Sequence, residues 1–105
     1  MNTQENNKII AEFMGITPNE AGVYHVSKHK GYSLENLLYH TSWDWLMPVV
    51  EKIESILPCD SIITIEYKDC RIPVNESGFD IVTNEETKIE AVYKAVVEFI
   101  NQYNQ

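Results

Sequence analysis

One stretch constrains this chain more than any other. From Ser42 to about Leu57, the residues Trp43, Leu46, Met47, Val50, Ile53 and Leu57 recur at helical spacing and form one apolar stripe. Trp45, Val49 and Ile56 widen that stripe to an arc of roughly 200°, more than a one-sided surface helix needs. Asp44, Glu51, Lys52 and Ser55 make the polar strip. Ser42 is a good N-cap, Asp44 suits the positive end of the helix, and Pro58 ends it. Pro48 falls later than the tolerated first turn, so it is expected to loosen the helix near Asp44.

The end of the chain repeats the pattern. Thr83-Asn84-Glu85-Glu86 has capping-box spacing, and a helix is expected from there to about Tyr103. Its stripe is Ile89, Val92, Tyr93, Val96, Phe99, Ile100 and Tyr103, flanked by Ala95 and Val97. Glu90/Lys94 and Lys94/Glu98 sit four apart on the polar face. Two neighbouring helices with such wide faces need a sheet on one side. On the other they need a further helix or a second copy of the chain. Trp43 and Trp45 diverge by roughly 200° on a helix and cannot enter one core layer. Trp43, Trp45, Val49, Ile56 and Tyr103 are therefore the interface candidates.

The remaining elements are shorter. A first helix is expected over about Gln4 to Met14, capped by Thr3 and ended by Gly15, with Ile9, Ile10, Phe13 and Met14 on one face. Residues 16–22 read as loop. Val23 to Val26 suits a short strand, and Ser33–Tyr39 a helical turn. Ser61 to Tyr67 alternates, with Ile63, Ile65 and Tyr67 facing one way. Lys68-Asp69 is the expected turn, and Cys70 to Val74 returns antiparallel as an edge strand, because Pro73 cannot donate to a ladder. Asn75 to Gly78 is a turn, and Phe79 to Val82 a third strand. The fold class is α+β: one domain over 1–105, with a small antiparallel sheet of about three strands packed against three helices.

Charge narrows the partners. The 105 residues include 16 acidic and 8 basic ones, for a net charge of -8. Binding to nucleic acid draws on Lys and Arg neutralising phosphates, so nucleic acid is not an expected partner. An anionic membrane is disfavoured for the same reason. No run is long and apolar enough to span a bilayer, and the polar start lacks a signal-peptide pattern, so a cytoplasmic location is expected. Cys59 and Cys70 flank a strand and read as free thiols.

No constellation for catalysis emerges. His25 and His29 are four apart, but their segment has no helix signal and no HExxH pattern, so no metal or other cofactor is expected. The acids are scattered, and no GxSxG, P-loop, GxGxxG or EF-hand spacing occurs. One cluster differs in kind: Tyr24, His25, Lys28, His29, Lys30, Tyr32, Tyr39 and His40 combine rings with a local positive charge. As an irregular connection, it covers the core with its aromatics. Folded over a pocket, it would hold a small anionic or aromatic ligand such as a nucleotide, with rings stacking and Lys meeting phosphate.

Three stretches carry a family likeness: Ile9 to Gly15, Ser42 to Glu54 and Lys88 to Ile100. They resemble the phage ABA sandwich domain group of small phage, prophage and Bacteroides proteins. The resemblance implies an α/β sandwich and no activity. The expected role is a non-enzymatic accessory protein of phage type that works by binding. It would act as a homodimer or on a host or phage protein. The alternative is a nucleotide-binding sponge using residues 23–40.

Overall fold

A computed structural model describes residues 3–27, 30–57, 62–73 and 80–103. The chain runs α1 (Thr3–Phe13), β1 (Tyr24–Ser27), β2 (Lys30–Tyr32), a 3-10 turn (Leu34–Asn36), α2 (Trp43–Ile56), β3 (Thr64–Glu66), β4 (Asp69–Pro73), β5 (Asp80–Asn84) and α3 (Lys88–Tyr103). This is the expected α+β class, with two antiparallel sheets in place of one: β1-β2, and β3-β4-β5. The strand β2 lies in a stretch too short and polar to show alternation.

Helix α3 is the centre of the fold. It packs on all three strands of the larger sheet and also on α1 and α2. Ala91, Val92, Tyr93, Ala95, Val96, Val97, Phe99 and Ile100 are all buried. Its wide apolar face is thus taken up inside the chain. On α2, Leu46, Val49, Val50 and Ile53 are buried, while Trp43 and Ile56 stay exposed. Most of the width of these faces is therefore accounted for inside the chain, with Trp43, Ile56 and Tyr103 left exposed. Lys52, expected on the polar strip, reaches from α2 to the end of α1. Its ammonium donates to the Phe13 carbonyl and stands 4.8 Å from the centre of the Phe13 ring.

Proline 48 sits inside α2. The carbonyl it deprives of a donor is that of Asp44, four residues back. Asp44 and Pro48 are both exposed, so water can serve that carbonyl. Ser42 holds the N-cap position through its backbone carbonyl, which accepts from the amides of Trp45 (3.2 Å) and Leu46 (3.0 Å). Its side chain makes no capping bond.

The larger sheet corrects two expectations. Its β3–β4 turn is Tyr67-Lys68, one residue earlier than expected, since Glu66 pairs with Asp69 and Ile65 with Cys70. A turn at Lys68-Asp69 would have set the Tyr67 phenol opposite Cys70 in the layer beneath α3. Instead Tyr67 is 77% exposed and carries a left-handed φ of 50°, as tight hairpins favour. The second correction is that β4 is the central strand, although it ends in proline. Pairing with β3 stops at Arg71, so no β3 carbonyl waits for the amide Pro73 lacks.

The start of α3 also shifts. Thr83 belongs to β5, is buried, and donates its hydroxyl to the Ala91 carbonyl at 2.6 Å. The cap is one turn later: Thr87 Oγ1 accepts from the Glu90 amide (3.2 Å) and donates to the Glu90 carboxylate (3.0 Å). Replacing Thr87 with alanine is expected to cost about 1 kcal/mol, read from urea unfolding. An unchanged midpoint would show that the cap contributes nothing. Lys94 bonds to Glu85 at 3.3 Å, ahead of the helix, and Glu90 is engaged by Thr87. The expected turn Asn75–Gly78, Pro58 and Cys59 lie outside the described residues. Cys70 is a free, buried thiol.

Candidate functional site

The N-terminal turns of α2 carry Asp44, Trp45 and Pro48 on adjoining positions, three and four residues apart. Trp45 turns towards the β1-β2 hairpin. The ring of Tyr32, at the end of β2, lies 4.9 Å from the Trp45 ring at 79°. The ring of Tyr39, in the connection entering α2, lies 5.2 Å away at 90°. Met14 and Ile16, just past α1, and Val26 of β1 complete a cleft of about 310 Å³, with Asp44 and Pro48 on the α2 side. Tyr39 is almost fully buried, and burial pushes its phenol up to about 12. Asp44 is the charged side chain among the described residues lining the cleft.

A second concavity, of about 390 Å³, is lined by Thr3, His40, Glu85, Glu90, Tyr93 and Lys94. These are side-chain types suited to acid–base work, but they are occupied with one another and with the fold. Lys94 pairs with Glu85, Glu90 caps α3, and Tyr93 donates to Asn7 at 2.9 Å. Asn7 Nδ2 is also 3.0 Å from His40 Nδ1.

The ring-and-base cluster expected to act together is dispersed. Tyr32 and Tyr39 line the Trp45 cleft. Tyr24 is buried in the core. His25 is exposed on β1, with Nε2 3.4 Å from the Asn19 amide nitrogen. His40 faces the other concavity. Lys28 and His29 lie outside the described residues, and Lys30 is described only as part of β2. Alternation along β1 sends Tyr24 to the core and His25 to solvent, while Tyr39 and His40 lie outside the hairpin, in the connection to α2.

The interface candidates are dispersed as well. Val49 is fully buried, so it is not available to a partner, because its face of α2 meets the core. Trp45 is half-buried among the tyrosines. Trp43 (37%), Ile56 (38%) and Tyr103 (54%) are exposed. Trp43 and Ile56 are at opposite ends of α2, about 20 Å apart along the axis and about 220° apart around it. They form no single patch. Tyr103 stacks on Phe99, with centroids 6.0 Å apart, and meets Phe13 edge-on.

Sequence reasoning missed Met14, Ile16, Val26, Asp44 and Pro48 as cleft residues. The available signal was Asp44-Trp45 followed by Pro48, a carboxylate, a ring and a helix-rigid apolar group on one side of a helix. No family model, curated protein or solved structure gives a significant match to this chain.

Proposed function

We propose that this protein is a binding module, and that the Trp45 cleft is where a small ligand docks. The observation that carries this reading is the set of three rings. Tyr32 and Tyr39 stand nearly perpendicular to Trp45 around a cleft of about 310 Å³. Ligand sites are concave and mostly apolar, with few polar groups, and span roughly 300–1,000 Å³. This cleft is at the small end, which suits a head group rather than a whole nucleotide.

The rings also explain why this site tolerates partial exposure. Each Tyr–Trp contact is edge-to-face, the favoured aromatic geometry, so the walls stand without a ligand to hold them apart. A preformed site loses less ordering entropy on binding. The test is a thermal-shift screen of small cationic, neutral and anionic compounds against the protein and its Trp45→Ala variant. A ligand at 100 times its dissociation constant should stabilise the parent by about 2.7 kcal/mol, and the variant should lose the shift. A panel with no stabilising member, or a shift that survives in Trp45→Ala, would overturn the reading.

A further inference from the structure

We propose that the ligand is a small alkylated ammonium cation, with its charged head beside Tyr32 and Trp45 and facing Asp44. This rests on the cleft being a ligand site, and adds the sign and kind of charge it takes. Three features of the cleft agree on the sign.

The first is the rings. An aromatic face carries the negative end of a quadrupole and attracts a cation within about 6 Å of the centroid, tryptophan most strongly. Here Tyr32 and the half-buried Trp45 stand 4.9 Å apart, centroid to centroid, with the buried Tyr39 ring backing Trp45 at 5.2 Å. The second is Asp44, the charged side chain among the described lining residues, and it is exposed. The third is the net charge of -8, which raises the local concentration of cations over the whole surface. An anion in this cleft would meet Asp44, a charge of the wrong sign. A neutral apolar group would fill the space but gain nothing from Asp44.

Alkylation follows from what lines the rest of the cleft. Met14, Ile16, Val26 and Pro48 offer mainly aliphatic and thioether surface. A primary ammonium is compact, strongly hydrated and carries three donors, so it would lose water there without enough acceptors. A methylated ammonium spreads its charge over carbon, has few or no donors to satisfy, and packs against such walls. Methionine adds a polarisable sulfur that adapts to an irregular shape.

The experiment uses the full chain with Trp43→Phe, so that tryptophan fluorescence reports Trp45 alone. Choline chloride is titrated at about 0.15 M salt, beside 3,3-dimethylbutan-1-ol, its uncharged carbon isostere, and adenosine monophosphate. Choline is expected to change the signal saturably and to bind about tenfold more tightly than the alcohol. Asp44→Asn should weaken choline by about threefold and leave the alcohol unchanged. Asp44 is exposed, so this variant is expected to fold, which circular dichroism checks. Equal affinity for choline and the alcohol overturns the cation proposal and leaves the cleft as a ligand site. Preference for adenosine monophosphate does the same. Binding by none of the three, with the thermal-shift panel also silent, overturns both.

Discussion

Stability is expected to fall steeply as the pH rises above about 9. Three buried acids cause it. Burial pushes the Cys70 thiol from 9 up to about 11, and the Tyr39 and Tyr93 phenols from 10 up to about 12. All three are at most 9% exposed, so ionising them in place means putting charge into the core. The sign follows from proton counts. Between the unfolded and folded pKa of each group, the native state keeps a proton the unfolded chain releases, so stability falls as pH rises. The stabilising term is complete below pH 9 and is lost through about pH 12. One such group contributes a slope of at most about 1.4 kcal/mol per pH unit, so three acting together reach about 3 kcal/mol per unit between pH 10 and 11. Domains of this size hold about 5–15 kcal/mol in total, so a loss of this order removes a large part of the stability. Urea titrations from pH 8 to 11.5 measure it. Tyr39→Phe should remove about a third of the slope. A flat profile to pH 11 would mean that these groups ionise without unfolding.

The helices were legible in the sequence because their evidence is repeated many times over. In α3 each of Val92, Val96, Phe99 and Ile100 votes for the same face, and each is buried. Boundaries had one or two votes each and went wrong where two local rules competed. Thr83-x-x-Glu86 and Thr87-x-x-Glu90 both satisfy the capping spacing. The choice was made by a long-range fact, the pairing of β5 with β4 out to Asn84, which claims Thr83 for the sheet. The β3–β4 turn is similar: no glycine or asparagine marks it, and the ladder alone decides between Tyr67-Lys68 and Lys68-Asp69. Pro73 read as an edge residue because local sequence cannot show how far a neighbouring strand extends.

The cleft was half legible. Tyr32 and Tyr39 were singled out for their rings, and Trp45 for its divergence from Trp43. What joined them was the β1-β2 hairpin folding back over α2, and nothing in Ser27 to Gly31 announced a strand. Asp44 was read only as helix-end chemistry. A carboxylate in the first turn of a helix serves the helix dipole and is exposed enough to serve a ligand too. One residue can carry both roles, and a sequence reading stops at the first that explains it.

The least legible feature carries the second large effect. Asn7 stands in a polar run at the start of α1, where solvent exposure is the obvious reading, yet it is 2% exposed. Its Nδ2 donates to the Leu37 carbonyl at 3.1 Å and lies 3.0 Å from His40 Nδ1. Its Oδ1 accepts from the Tyr93 hydroxyl at 2.9 Å. One amide therefore joins α1, the connection entering α2, and α3. Asn7→Ala is expected to cost about 2–4 kcal/mol, because it leaves the Leu37 carbonyl without its donor, moves the Tyr93 hydroxyl to its longer bond with the Thr3 carbonyl (3.4 Å) and opens a small void. Tyr93→Phe removes the same Tyr93–Asn7 bond from its other side. The double variant should therefore lose about 1–2 kcal/mol less than the two singles added together. Urea unfolding of the four proteins measures this, and a single-variant cost below about 1 kcal/mol would remove the tie from the account. The consequence reaches the cleft. Leu37 and His40 flank Tyr39, so the bonds to Asn7 hold in register the segment that carries one of the three rings. Asn7→Ala should weaken choline binding in the conditions where the protein is still folded, although Asn7 lines no part of the cleft. Tyr93→Phe, which keeps both Asn7 contacts to that segment, should not.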